Sequence, residues 1–250
     1  MPGNNEFIRS ELTVVLGRTS APGERFASSF FFHSNTGYTV GMAGTIIKTT
    51  NGGKSWQVLY CGRKESFYSV HFPDASTGYT VGSSGMILKT TNKGTTWVNL
   101  SSGIPESIED VFFTDENTGY VVGDWGIIYK TTDGGSSWVS QTSGTLADFN
   151  SVFFTAADTG YVVGYDGAIL KTTDGGTTWT NQSGGITSWF YSVYFPVSDT
   201  GYTSGSDGVI YKTIDAGLNW IELVSGTDES LDAIFFTEAS TGYAVGWNGT

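Results

Sequence analysis

One feature constrains this chain above all others: it repeats itself every 41 residues. The segment TGYxxG occurs six times, with its first glycine at Gly37, Gly78, Gly119, Gly160, Gly201 and Gly242. A second segment, K-T-x-[DN]-x-G-x-x-W, ends at Trp56, Trp97, Trp138, Trp179 and Trp220, in the same step. No insertion or deletion separates the copies. Such a chain builds one supersecondary unit over and over, and each unit buries its apolar face against the next.

Each copy reads as four short strands. In the third, Asp110 to Thr114, Tyr120 to Gly123, Ile127 to Thr132 and Ser137 to Gln141 are separated by turns carrying Asn, Asp and Gly, which tolerate positive φ. Four antiparallel strands in 41 residues is the size of one β-propeller blade. Composition agrees. The 35 glycines, the 15% aromatic content and the 14% charged content suit many strands joined by tight turns. No 3.6-residue apolar period is long enough for a stable helix.

The expected fold is therefore an all-β propeller of six four-stranded blades, with repeats starting near residues 26, 67, 108, 149, 190 and 231. Residues 1–250 form a single domain in this reading. The last copy stops before its third strand, so residues 5–25 (FIRS and ELTVVLG) are expected to close the seam as the missing outer strands, leaving no open sheet edge there. The alternative is a seven-bladed ring.

The segments KTTDGGSSW (130–138) and KTTDGGTTW (171–179) match the Asp-box pattern S/T-x-D-x-G-x-x-W. Together with TGYVVG they resemble the repeats of the photosystem II stability/assembly factor-like family, a branch of the Asp-box (bacterial neuraminidase repeat) propellers. The resemblance covers nearly all of residues 26–250. It implies secreted or lumenal propellers that hold partner proteins. The photosynthetic members are, as a rule, seven-bladed and use a surface cluster of arginines. Here arginine occurs only at Arg9, Arg18, Arg25 and Arg63.

The repeated motif residues read as architecture. An Asp or Asn side chain can accept hydrogen bonds from its own turn, and Asn51 and Asn92 replace Asp in the first two copies, where an amide would be the weaker cation ligand. No metal site is expected there. Lys48, Lys89, Lys130, Lys171 and Lys212 recur beside every motif, and are expected to lay their stems along the strand with solvated heads.

Catalysis finds no support in the residues. A sialidase needs three arginines around a carboxylate, and the third to sixth repeats have none. His33 and His71 lie in no metal or triad spacing, and His71 fills a slot held elsewhere by Phe30, Phe112, Phe153, Tyr194 and Phe235. No nucleophile-elbow, phosphate-loop or dinucleotide fingerprint is present, so no enzyme activity and no cofactor is expected. The net charge of −12 disfavours nucleic acid and anionic membranes, and leaves basic proteins, cations or neutral glycans as partners. No apolar run spans a membrane. The single cysteine, Cys61, forms no intrachain disulfide. The expected compartment is extracellular or periplasmic, a leader being absent from this chain, with the cytoplasm as the other option.

Internal comparison separates shared duty from specific duty. Phe26, Phe67, Ile108, Phe149, Phe190 and Leu231 are apolar in every copy and belong to the core. The turn between second and third strands, G-x-x-G, varies instead: Met42-Ala43, Ser83-Ser84, Asp124-Trp125, Tyr165-Asp166, Ser206-Asp207 and Trp247-Asn248. Loops between blades add Glu65, Tyr68, Glu106, Glu109, Asp148, Trp189, Tyr191, Asp228, Glu229 and Asp232. Aromatic area beside hydrogen-bonding acids is the chemistry of a binding surface. The candidate ligand-binding residues are Asp124, Trp125, Tyr165, Asp166, Trp189, Tyr191, Asp207 and Trp247. The expected function is a non-catalytic scaffold that engages a partner protein through this face. The alternative is a glycan-binding or carbohydrate-active accessory module.

Overall fold

The computed structural model describes residues 26–60 and 64–250. They form two compact units, the first ending at Ile108 and the second running from Glu109 to Thr250. The expected seam strands at residues 5–25 lie outside the described residues.

The first unit holds two four-stranded sheets. One comprises β1 (Phe26–His33), β2 (Thr36–Gly41), β3 (Thr45–Thr49) and β4 (Gln57–Tyr60); the other β5 (Phe67–His71), β6 (Gly78–Gly82), β7 (Met86–Thr90) and β8 (Val98–Asn99). The second unit opens within β9 (Ile108–Phe113), which forms a sheet with β10 (Gly119–Gly123), β11 (Ile128–Thr131) and β12 (Val139–Gln141). There follow β13 (Phe149–Phe154), β14 (Gly160–Gly164), β15 (Ile169–Thr172) and β16 (Thr180–Asn181), then β17 (Phe190–Tyr194), β18 (Gly201–Gly205), β19 (Ile210–Thr213) and β20 (Ile221–Leu223). A two-stranded sheet of β21 (Leu231–Glu238) and β22 (Thr241–Gly246) completes the described residues. Each four-stranded sheet is an antiparallel meander in sequence order, the blade expected from the repeat.

The repeated residues explain how successive blades adhere. In the first unit the Tyr38 ring stacks on Phe72 of the following blade at 4.1 Å, and Trp97 meets Phe72 edge-on at 6.0 Å. The second unit repeats this with Tyr120, Phe154 and Trp179 at 4.0 and 6.2 Å, and with Tyr161, Phe195 and Trp220 at 3.9 and 6.1 Å. The glycine of TGY makes room for that phenylalanine, since a Cβ on Gly160 would lie 2.5 Å from the Phe154 ring. The indoles are half-buried rather than enclosed.

The lysines behave differently from the expectation of solvated heads. Lys130 Nζ and Tyr120 Oη both donate to the Gly175 carbonyl of the next blade, at 2.7 and 2.8 Å. Lys171 and Tyr161 converge likewise on Ala216 at 2.7 and 2.8 Å, and Lys48 and Tyr38 on Lys93 at 2.9 and 2.8 Å. The accepting residue sits in the left-handed region in each case, which turns its carbonyl toward the neighbour. Burial pushes the phenols of Tyr38, Tyr120 and Tyr161 up to about 12, so all three remain donors at neutral pH.

The Asp/Asn turn is closed on itself. Asp133 Oδ1 accepts from Ser137 N and Thr131 Oγ1 at 2.8 Å each, and Oδ2 from Ser137 Oγ at 2.6 Å. The Ser137 hydroxyl first, then the backbone and Thr131, hold the Asp133 carboxyl down at about 2. Asn51 makes the matching bonds, Oδ1 accepting from Ser55 N at 3.0 Å. His71 is buried with its ring 5.3 Å from Phe30, a packed ring as its slot suggested.

Candidate functional site

The G-x-x-G turns meet the loops that enter their own blades. Tyr165 N donates to Asp148 O at 2.9 Å, Ser206 N to Trp189 O at 2.9 Å, and Trp247 N to Ser230 O at 3.0 Å. The next inter-blade loop closes over the other side, with Gly167 N bonded to Ser188 O at 2.8 Å. A Cβ on Gly167 would fall 1.8 Å from the Ile186 carbonyl oxygen, so glycine is required by that close approach.

The second central residue of each turn adopts the left-handed backbone: Trp125 (φ 60), Asp166 (φ 54), Asp207 (φ 55) and Asn248 (φ 54) in the second unit, Ala43 and Ser84 in the first. Asn and Asp tolerate this region; a bulky aromatic is unusual there. Trp125 is nevertheless held in it, with its N–H donating to Asp148 Oδ1 at 2.7 Å and its side chain 67% exposed.

A second device operates at the first strands. Phe190 pairs with Gly205 and Ser192 with Ser204, leaving Tyr191 as an extra bulged residue. Asn150 and Asp232 occupy the same position in their strands. Tyr68, Glu109, Tyr191 and Asp232 thus belong to strands, not to the inter-blade loops expected from sequence. The strands begin earlier because the invariant apolar residue pairs with the turn glycine, and a bulge then re-aims the residue that follows.

Three of the candidate residues come together. Tyr165 stacks on Trp189 at 4.8 Å and meets Tyr191 edge-on at 6.3 Å. Burial raises the Tyr165 phenol, with Tyr191 and then Glu109, Asp148 and Asp124 adding to the shift. Burial also raises Tyr191, a hydrogen bond with Ser230 opposes it, and Asp232 and Asp207 reinforce it. Trp125 joins through Asp148, and Trp247 lies beside Asp232. Asp166 is exposed on its turn.

Two acids acquire roles the sequence reading did not assign. Glu109 is pushed up to about 7, by burial first and then by Asp124, Asp110 and Asp148. Asp110 is buried and bridges blades: Oδ1 accepts from Val111 N and Oδ2 from Val152 N, both at 2.9 Å. Ser151 and Ser192 fill that slot in the next two blades and accept from Val193 N and Ile234 N at 3.4 and 3.3 Å. The signal was available in the repeat, where Ser28, Ser69, Ser151 and Ser192 leave Asp110 as the one charged residue.

Among the described residues no three His, Cys, Asp or Glu side chains converge as metal ligands, and no helix is long and apolar enough to cross a membrane.

Blades of this kind, joined by the same aromatic stack, define a β-propeller. The sequence matches the family "Photosynthesis system II assembly factor YCF48" over residues 24–152 and 141–227, and the chain belongs to that family. Similar solved structures include YCF48 bound to D1 peptide (19% identity, TM-score 0.55, covering 100% of this chain and 96% of that one). YCF48 from Cyanidioschyzon merolae is similar as well (17%, TM-score 0.62, 91% and 94%). The Niastella koreensis GH74 enzyme shares the fold at 18% identity and TM-score 0.71, over 86% of this chain and 42% of the enzyme. Among curated proteins compared by sequence, none matches.

Proposed function

We propose that this chain is a non-catalytic β-propeller of six blades in one domain that binds a partner protein, working in an extracellular or periplasmic compartment. The contact face is the one bearing Asp124, Trp125, Tyr165, Asp166, Trp189, Tyr191, Asp207 and Trp247. The observation that carries this reading is the exposed aromatic group on rigid supports. Trp125, Trp189 and Trp247 are 67%, 47% and 63% exposed, yet each sits on or beside a turn tied down by backbone hydrogen bonds. Pre-ordered aromatic surface lowers the entropic cost of association. A family relative is known in complex with a peptide, which favours a protein ligand.

The test is capture from the native source with the wild-type chain and with a Trp125→Ala/Trp189→Ala/Trp247→Ala variant, beside a glycan array. A partner protein retained by the wild type and lost by the variant supports the reading. Retention by both chains, or tryptophan-dependent binding to a neutral glycan alone, overturns it in favour of another surface or of the glycan module.

A further inference from the structure

The excess of acidic over basic residues in this protein lies in one part of its sequence. Residues 109–250 carry 18 Asp and Glu against three Lys and no Arg, whereas residues 1–108 carry six against nine Lys and Arg. The three cations of the second part are Lys130, Lys171 and Lys212. Lys130 and Lys171 are bonded to the carbonyls of Gly175 and Ala216, and Lys212 lies over the Tyr202 ring at 5.4 Å. All three stand at the Asp/Asn-turn end of their strands, away from the G-x-x-G turns. Among the described residues, the charged groups acting on the aromatic cluster at the other end are carboxylates: Glu109, Asp124 and Asp148 beside Tyr165, and Asp207 and Asp232 beside Tyr191.

We propose that the Tyr165–Trp189–Tyr191 cluster receives an arginine side chain from an extended basic segment of the partner protein, with the flanking carboxylates as its counter-charge. This rests on the protein-binding reading above and names the chemistry it requires. Exposed aromatic faces attract cations through the ring quadrupole. A guanidinium is planar, weakly hydrated and forked, so it can lie on a ring and still bond a carboxylate bidentately. An ammonium is a strongly hydrated point charge and gains less from such a site. A neutral ligand would leave the repulsion among these acids in place.

The experiment uses the full chain and dye-labelled peptide probes read by fluorescence anisotropy. One nonapeptide alternates Arg with Gly and Ser; its analogues carry Lys or citrulline at the Arg positions. The Arg peptide is expected to bind about fivefold or more tightly than the Lys peptide, and the citrulline peptide, planar but uncharged, not to bind. Affinity should fall as salt rises. Trp189→Ala and Asp207→Asn, both exposed positions, should each weaken the Arg peptide roughly tenfold while the melting temperature stays put. Equal affinity for Arg and Lys peptides, indifference to Trp189→Ala, or no binding of the Arg peptide would each overturn the proposal. The protein-binding reading is judged separately: it stands if native capture still depends on the three tryptophans, and falls if it does not.

Discussion

The blades before and after residue 108 are built alike and furnished differently. Tyr38, Phe72, Trp97 and Lys48 in the first unit make the same stack and the same pair of carbonyl bonds as Tyr120, Phe154, Trp179 and Lys130 in the second. Their G-x-x-G turns nevertheless diverge. The first unit places Met42-Ala43 and Ser83-Ser84 there, the second Asp124-Trp125, Tyr165-Asp166, Ser206-Asp207 and Trp247-Asn248. The left-handed backbone is common to both, from Ala43 to Asn248, so the scaffold does not demand aromatics or acids. Their presence on one unit alone is the difference on which the proposed contact face rests.

The largest effects should fall on the shared frame and be alike in both units. Phe72→Ala and Phe154→Ala each remove a buried ring that joins two blades, and should each cost about 3–5 kcal/mol in chemical denaturation. A large loss at one and none at the other would break the equivalence.

A second effect should be peculiar to the acidic unit. Glu109 has a carboxyl raised from its ordinary 4.5 to about 7. The native state then holds its proton more tightly than the unfolded chain, so stability falls as pH rises from about 4.5 through 7. Glu109→Gln should gain on the order of 2 kcal/mol at pH 8 and nothing at pH 4. An equal gain at both pH values would show that burial and repulsion of the charge are not the cause.

The lysine bonds between blades are worth less. Lys48→Met and Lys171→Met should each lose about 1 kcal/mol, because each deletes one inter-blade hydrogen bond whose carbonyl keeps its tyrosine donor. Full stability in both variants would return the lysines to the solvated role expected from sequence. The smallest change should carry the opposite sign: Trp125→Gly relieves a left-handed aromatic and should stabilise by up to about 1 kcal/mol while removing a residue of the proposed contact face.

The repeat made the blades legible because every shared residue has a local job. The 41-residue step, the glycine against phenylalanine and the self-bonded Asp turn can all be reasoned from residue type. The turns were legible as variable positions for the same reason. The bulge was not, because nothing in Ser-Trp-Phe-Tyr-Ser (188–192) distinguishes a loop tyrosine from a strand tyrosine. The fate of the lysines was hidden too: their acceptors lie 45 residues onward, and that pairing depends on a carbonyl direction set by a left-handed residue.

Variable turns are proposed to carry binding, and repeated residues to carry folding. Transplanting the first unit's Ser83-Ser84 into the second tests this directly, by the combined change Asp124→Ser, Trp125→Ser, Tyr165→Ser and Asp166→Ser, followed by melting and by anisotropy with the Arg peptide. A melting temperature lowered by no more than a few degrees is expected, since Trp125 and Asp166 are exposed and the half-buried Tyr165 gives up only its stack on Trp189, together with loss of Arg-peptide binding. Collapse of the fold, or undiminished binding by a folded variant, would contradict it.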